Sequence, residues 1–382
     1  MSRPVYFDNN GTTALHPKVL QAMLPYLSEQ QGNATSRHIY GRSARNAIDQ
    51  AREQVADAVG AHTSQVIFTC GGTEADNLAI TGVAGALGKG RIAISSIEHP
   101  AVSRPAEALR WQGWELDLIA CNQHGQVEKS SFVAILENRP DIVSVMLANN
   151  ETGVIQDVAA LGELARQHKA YMHTDAVQAL GKLDLNFTDL NVHAMSLSSH
   201  KINGPQGAGA LILDKRIDIQ PLLYGGGQER GLRSGSENIA AIVGFGTACH
   251  LLATEVRTHR NKLVGLREHL EHGLCQLGAI IFGAEAERLP NTSFFAFEGI
   301  DGETMVMALD KQGFAIASGS ACSSDSKEPS HVLLAMGIPP DIARGAIRVS
   351  LGNDNELHEI NAFLQTLERE LARLRKLTAV AV

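Results

Sequence analysis

Residues 196–209 read SLSSHKINGPQGAG, and they place Lys201 just past a run that reads as a short buried strand. Ser198, Ser199 and His200 precede the lysine, and a Gly/Pro turn follows it. An amine at a strand end can face a cleft, where it serves as a nucleophile toward carbonyl carbon. Other apolar runs end in groups of comparable chemistry. HTDAVQALGK (173–182) puts Asp175 after the run AYMHT, SSIEHPAV puts His99 after RIAISS, and ANNETG puts Asn149 and Asn150 after IVSVML. CGGTEADN (70–77) follows QVIFT and opens a helical pattern, so Gly71, Gly72 and Thr73 can turn backbone N–H groups and a helix N-terminus toward an anion. It is not a nucleoside-triphosphate P-loop, because GxxxxGK[ST] is absent. Singly, each has a plain structural reading: a surface lysine, an N-cap aspartate, a structural histidine, a capped turn. Together they form a set, because strand ends of a parallel sheet share one edge. An amine, a carboxylate, an imidazole and an anion cradle are what pyridoxal phosphate requires. Lys201 would link the cofactor, Asp175 would face the ring nitrogen, His99 would cover the ring, and the Gly-Gly-Thr turn would take the phosphate.

The elements that must position these residues are legible as alternating patterns. GRSARNAIDQAREQVADAVGA carries Ile48, Ala51, Val55 and Val59 at helical spacing. Short apolar runs (QVIFT, RIAISS, ELDLIA, IVSVML, AYMHT, HAMSLSS, GALILD) are separated for the most part by helical patterns. This predicts an α/β fold with a large domain around a mostly parallel seven-stranded sheet. After about residue 240 a long helical stretch leads to strands AIIFG, TSFFAFEG, FAIAS and AIRVSLG and a last helix, read as a smaller α+β domain. The expected division is 15–258 for the large domain, with 1–14 and 259–382 forming the small one. GFG at 244–246 lies inside a helical pattern and is not a dinucleotide fingerprint. His269 and His272 share a helix face without further ligands, so no metal site is expected.

Composition excludes several classes. The 382 residues are 44% hydrophobic and 19% charged, ordinary for a globular chain with a sizeable core, and the net charge of -8 argues against direct nucleic-acid binding. No apolar run reaches membrane-spanning length, and the N-terminus has no secretory pattern. Cysteines at 70, 121, 249, 275 and 322 are odd in number, widely spaced and without CxxC, which points to free thiols in a reducing cytoplasm. One of them is placed unusually. Cys322 sits in AIASGSACSSDSKEP (315–329), among residues that predict a loop, whereas the other four are expected to be small core fillers.

The chain resembles the cysteine desulfurases, the NifS/IscS-like branch of the class V aminotransferase superfamily of fold-type I pyridoxal-phosphate enzymes. The resemblance is carried along nearly the whole chain by DNNGTT, GNATSRHIYGRSAR, GGTEADN, EHPAV, NNETG, HTDAVQALGK, SSHKINGPQG, GGGQERGLRSGSEN, SGSACSS and AIRVSLG. It implies that Lys201 is the Schiff-base lysine and proton shuttle, that Asp175 pairs with the pyridinium nitrogen, and that His99 stacks on the ring. Gln178 and Asn150 would lie at the ring oxygen. Gly72, Thr73, Ser198 and His200 would hold the phosphate, joined by Ser236 from the second subunit of a homodimer. Arg348 would clamp the carboxylate of L-cysteine, with Asn33 nearby. Cys322 would take the sulfur as a persulfide and pass it to an acceptor protein, in iron–sulfur cluster assembly or another thiolation pathway. A selenocysteine or cystine lyase on the same scaffold is the alternative. The chain departs from the family pattern at Gly11, where alanine is usual, and at Ser236 and Ser323, where threonine is usual. It also lacks the longer C-terminal tail of members that load iron–sulfur scaffolds, which leaves the acceptor open.

Overall fold

The computed structural model describes residues 4–319 and 328–380. The chain opens on β1 (Val5–Tyr6), α1 (Pro17–Ser28) and α2 (Ile39–Ala58). The alternation then follows as β2 (Val66–Thr69), α3 (Gly72–Leu87), β3 (Arg91–Ser95), α4 (Pro100–Trp111), β4 (Glu115–Ile119), α5 (Lys129–Glu137), β5 (Ile142–Ser144), α6 (Val158–Gln167), β6 (Tyr171–Asp175), β7 (Ala194–Ser198) and β8 (Gly209–Leu213). The long α7 (Ile239–Gln276) leads to β9 (Ile280–Ile281), β10 (Thr292–Ala296), α8 (Gly302–Asp310), β11 (Phe314–Ala315), β12 (Ala317–Ser318), α9 (His331–Ala335), α10 (Pro340–Arg344), β13 (Ile347–Ser350) and α11 (Leu357–Val380).

The seven-stranded sheet runs in the order β2-β8-β7-β6-β5-β3-β4. Only β8 is antiparallel to its neighbours, so β2, β3, β5, β6 and β7 end at the same edge. Both faces are covered, which is why these five strands are buried along their length, apart from the half-buried Arg91, rather than alternating. Ile48, Ala51, Val55 and Val59 of the α2 segment are buried on one side with Phe68, Val143 and Met195, while Ile67, Leu78, Ile92 and Trp114 pack on the other. The glycines at 244 and 246 let helices touch: a Cβ on Gly246 would lie 2.6 Å from Ala51 Cα, and one on Gly244 would lie 2.7 Å from Met23 Sδ.

A separate core joins the chain's two ends. Phe7, Phe314 and Phe363 form an aromatic cluster, with Phe7 edge-on to Phe363 at 5.6 Å, and β1 pairs in parallel with β11. The antiparallel sheet β12-β13-β10-β9 completes this part. Two expected strands differ in detail. FAIAS splits, its first half pairing with β1 and its second with β13. IVSVML keeps ladder geometry only over β5, because the Met146 N–H leaves the ladder to donate to Glu98 Oε1 at 2.7 Å. The four cysteines expected as core fillers also divide: Cys121 and Cys249 are buried, whereas Cys70, in the turn after β2, and Cys275, in the last turn of α7, are exposed.

Close approach at the sheet edge gives a test. A Cβ on Gly209 would sit 2.6 Å from the Gly71 carbonyl carbon and 2.7 Å from Leu197 O, both backbone atoms that cannot swing aside. Gly209→Ala should therefore lower unfolding free energy by about 1–3 kcal/mol, read by chemical denaturation. An unchanged midpoint would show that the Gly71 turn is not packed against β8 in this way.

Candidate active site

A cavity of about 350 Å³ opens at the shared strand edge. Each strand end supplies part of its wall: Gly72 and Thr73 after β2, His99 after β3, Met146 and Asn150 after β5, Asp175 and Gln178 from β6 onward, and Ser198, His200 and Lys201 from β7 onward. The N-terminal segment adds Asp8, Asn10 and Gly11, and β13 adds Arg348. Residues 340 positions apart in sequence thus face one space.

Lys201 follows β7 in a single 3₁₀ turn, and its Nζ donates to the carbonyls of Asn10 and Gly11, each at 2.6 Å. Asp175 ends β6, where its Oδ1 accepts the Val177 N–H at 2.8 Å. Burial pushes its carboxyl up to about 6, against the pull of the Val177 N–H and the Lys201 amine. His99 caps α4: its Nδ1 accepts the Ala101 N–H at 3.1 Å. That bond places the proton of the neutral ring on Nε2. Burial, with Lys201 and His331 adding to it, holds the ring down to about 4, so it is neutral at physiological pH.

The anion-facing side is built from donors. No side chain caps α3 at Gly71, so its first N–H groups face the turn that lines the cavity. Ser198 Oγ is buried without a hydrogen-bond partner among the described residues. His200 Nδ1 lies 3.1 Å from Thr12 Oγ1, and burial lowers this ring to about 4. Arg348 donates from Nη1 to Asn150 O at 2.9 Å and from Nη2 to Asp8 Oδ1 at 2.7 Å, while its buried Nε has no partner among the described residues.

The aminotransferase class-V family matches residues 5–363 of this sequence. The chain belongs to that family. It is 40% identical to a cysteine desulfurase IscS of Methanosarcina thermophila over 99% of this chain and 94% of that protein. Among solved structures it is similar to a NifS-like protein at a TM-score of 0.91 and 35% identity, covering 97% of this chain and 99% of the other. A second, described as SspA in complex with cysteine, matches at a TM-score of 0.82 and 33% identity, over 91% of this chain and 98% of that one.

In this member of the family, two expected residues lie outside the cavity of the single chain. Asn33 is exposed, its Oδ1 accepting from the Thr35 N–H at 3.0 Å and hydroxyl at 2.8 Å. Ser236 is exposed in the loop before α7. Cys322 lies outside the described residues. The structure also brings in residues that the motifs did not single out. Asp76, which lines the cavity, and Glu98, after β3, are buried carboxyls, and His173 of β6 is bonded to Ser144 Oγ at 2.8 Å and Ser196 Oγ at 2.9 Å. Asp76 Oδ1 is 3.5 Å from His173 Nε2, and burial beside Asp175 holds the Asp76 carboxyl well above the usual carboxylate range. Glu151, also buried, accepts from Ser330 Oγ and so ties the segment entering α9 to the cavity wall. The available signal was proximity to quoted motifs: EADN and EHPAV contain these carboxylates, but sequence alone does not show that they are buried.

Glu98 provides a pH test. Its Oε1 accepts from Ser95 Oγ and the Met146 N–H, Oε2 has no partner among the described residues, and burial raises the carboxyl to about 8. The folded state therefore keeps a proton that the unfolded chain releases in the ordinary carboxylate range. This group's stabilising contribution is complete at acid pH and is lost as pH rises toward about 8. Glu98→Gln keeps the accepting oxygen and never ionises. Its melting temperature should match the parent near the acid end of that window and exceed it increasingly toward about pH 8, by roughly 1–3 kcal/mol of stability. A constant offset across pH would contradict a neutral Glu98.

Proposed function

We propose that this chain is a pyridoxal-phosphate-dependent cysteine desulfurase, taking sulfur from L-cysteine, releasing L-alanine and holding the sulfur on Cys322 for an acceptor protein. The observation that carries the reading is the meeting of Lys201, Asp175, His99 and an uncapped helix N-terminus in one cavity, in a chain similar over its length to named cysteine desulfurases.

The donor set fits the cofactor. Ser198 Oγ has no hydrogen-bond partner among the described residues and no side chain caps α3, so with Thr73 and His200 this hydroxyl and the first N–H groups of α3 would hold a phosphate. Asp175 would sit at the ring nitrogen, with Gln178 and Asn150 at the ring oxygen, His99 over the ring and Lys201 at the carbonyl carbon. Pyridoxal phosphate supplies there an electron sink for the substrate's α-carbon. Lys201 Nζ would move the proton between α- and β-carbon positions. Neutral His99, with its proton fixed on Nε2, would serve as the acid near the substrate sulfur. Arg348 is held in place by Asn150 O and Asp8, and its buried Nε is the donor edge open to a carboxylate. The Cys322 thiolate would attack the substrate sulfur: the S–S bond forms, the substrate's C–S bond breaks, and the electron pair and one proton end on the carbon that leaves in alanine. No external oxidant is needed.

The exposed positions of Ser236 and Asn33 support a homodimer in which each completes the other subunit's site. The same reading divides the chain into 15–258 and a small domain of 1–14 with 259–382, supported by the separate cores and by Phe7 packing among residues of the C-terminal part. Among the described residues no helix is long and apolar enough to cross a membrane. Unbridged Cys70, Cys121, Cys249 and Cys275 support a reducing, cytoplasmic setting.

Single turnover without reductant tests the function. Mixing holoenzyme with L-cysteine should give one alanine per subunit and one added sulfur on the Cys322 peptide by mass spectrometry, and Cys322→Ser should abolish the sulfur adduct. Alanine formed at the parent rate by Cys322→Ser would contradict persulfide transfer and point to a lyase.

A further inference from the structure

Two lysines, not one, enter the hydrogen-bond network at the floor of this site. Lys182 Nζ donates to Gln178 Oε1 at 2.7 Å and to Asn10 Oδ1 at 3.1 Å. Lys201 Nζ donates to Asn10 O at 2.6 Å, and Gln178 Nε2 donates to that same carbonyl at 3.0 Å. Both contacts run from the amine to an amide oxygen, so each amide has its oxygen turned toward Lys182. For Gln178 this leaves the NH₂ group facing Asn10 O and the cavity that Gln178 lines. For Asn10 it leaves Nδ2 to donate to Asn150 O at 3.2 Å and Thr292 Oγ1 at 2.9 Å. With either amide flipped, NH₂ would oppose the Lys182 donors.

The chain is shaped to bring Lys182 back to this point. Gly181 has φ of +74°, and a Cβ there would meet Ile202 Cγ2 at 2.9 Å and Leu252 Cδ2 at 3.0 Å. The turn after β6 therefore depends on glycine, and it returns Lys182 to Gln178 four residues earlier. No carboxylate among the described residues pairs with Lys182; the charged groups acting on it are Lys201 and Arg348. Burial holds the amine well below the usual lysine range, and these two cations add to the effect. A half-buried amine without a counter-charge is costly, so packing alone does not account for it.

We propose that Lys182 is a positioning residue of this site: its amine fixes the amides of Gln178 and Asn10, so that Gln178 presents an N–H to the ring oxygen of the bound cofactor and Asn10 keeps its carbonyl on Lys201. This rests on the pyridoxal-phosphate reading given above. Lys182 touches neither substrate nor cofactor and acts through Gln178.

The test is the visible absorbance of the purified holoenzyme titrated with pH, together with steady-state kinetics. An N–H donor at the ring oxygen favours the deprotonated chromophore, so losing it should raise the absorbance midpoint by about 0.5–1 pH unit. Lys182→Met keeps length and loses the donors; it should show that rise, with kcat down several-fold and KM for L-cysteine within about twofold. Gln178→Leu should show the same rise, and the double variant no more than either single one, because both remove one interaction. If Lys182→Met does not fold, Lys182→Gln serves: its amide is one bond shorter and cannot span both partners, so its midpoint should move the same way. A Lys182 variant that lowers only the melting temperature, with midpoint and kcat unmoved, would overturn the proposal. So would additive shifts in the double variant. A parent protein that binds no pyridoxal phosphate would instead overturn the cofactor reading, which keeps the two failures distinct.

Discussion

The site depends on one buried residue, Asn10, which is 1% exposed and makes seven hydrogen bonds among the described residues, four through its side chain and three through its backbone. Its carbonyl accepts from Lys201 and Gln178, and its amide oxygen accepts from Lys182 and Asn291. Its donors go to Ser350 Oγ, Asn150 O and Thr292 Oγ1. Those partners come from both cores, so the N-terminal strand, the large sheet's edge and β10–β13 are held at one point. A buried amide with every donor and acceptor satisfied tolerates little displacement, because any shift strands a polar group away from water. That rigidity lets the cavity hold a lysine, an arginine and an aspartate in fixed relation.

The sheet contributes direction. Six parallel strands stop at one edge, and after β5 and β6 a carboxylate takes over a backbone N–H. Met146 leaves the ladder for Glu98, and Val177 turns onto Asp175. The groups that end the strands are therefore also groups that line or support the cavity. Below them, Asp76, Glu98 and His173 form a buried polar layer in which burial raises both carboxyls and keeps the imidazole neutral. Charge in the site is thereby concentrated on Lys201, Arg348 and the groups nearest them.

How much of this was legible in the sequence follows from the range of each interaction. Lys201, Asp175, His99 and the Gly72–Thr73 turn were legible because buried parallel strands read as apolar runs, and polar groups at their ends must share an edge. Asn10, Asp8 and Lys182 stood inside quoted motifs without a role. Asn10 meets Thr292 and Ser350 across 282 and 340 positions, and Asp8 meets Arg348 across 340, distances that local pattern cannot register. The neutral state of Glu98 was hidden for a different reason: a carboxylate reads as a surface group until its burial is known. Ser236 and Asn33, named through the family resemblance, are exposed and do not line the cavity of the single chain.

The most direct measurement is borohydride reduction of the holoenzyme, followed by digestion and mass mapping of the pyridoxyl group. The account requires the label on Lys201, whose amine reaches the cavity from the end of β7, with Lys182 unlabelled behind Gln178. A label on Lys182, or on no lysine, would contradict it.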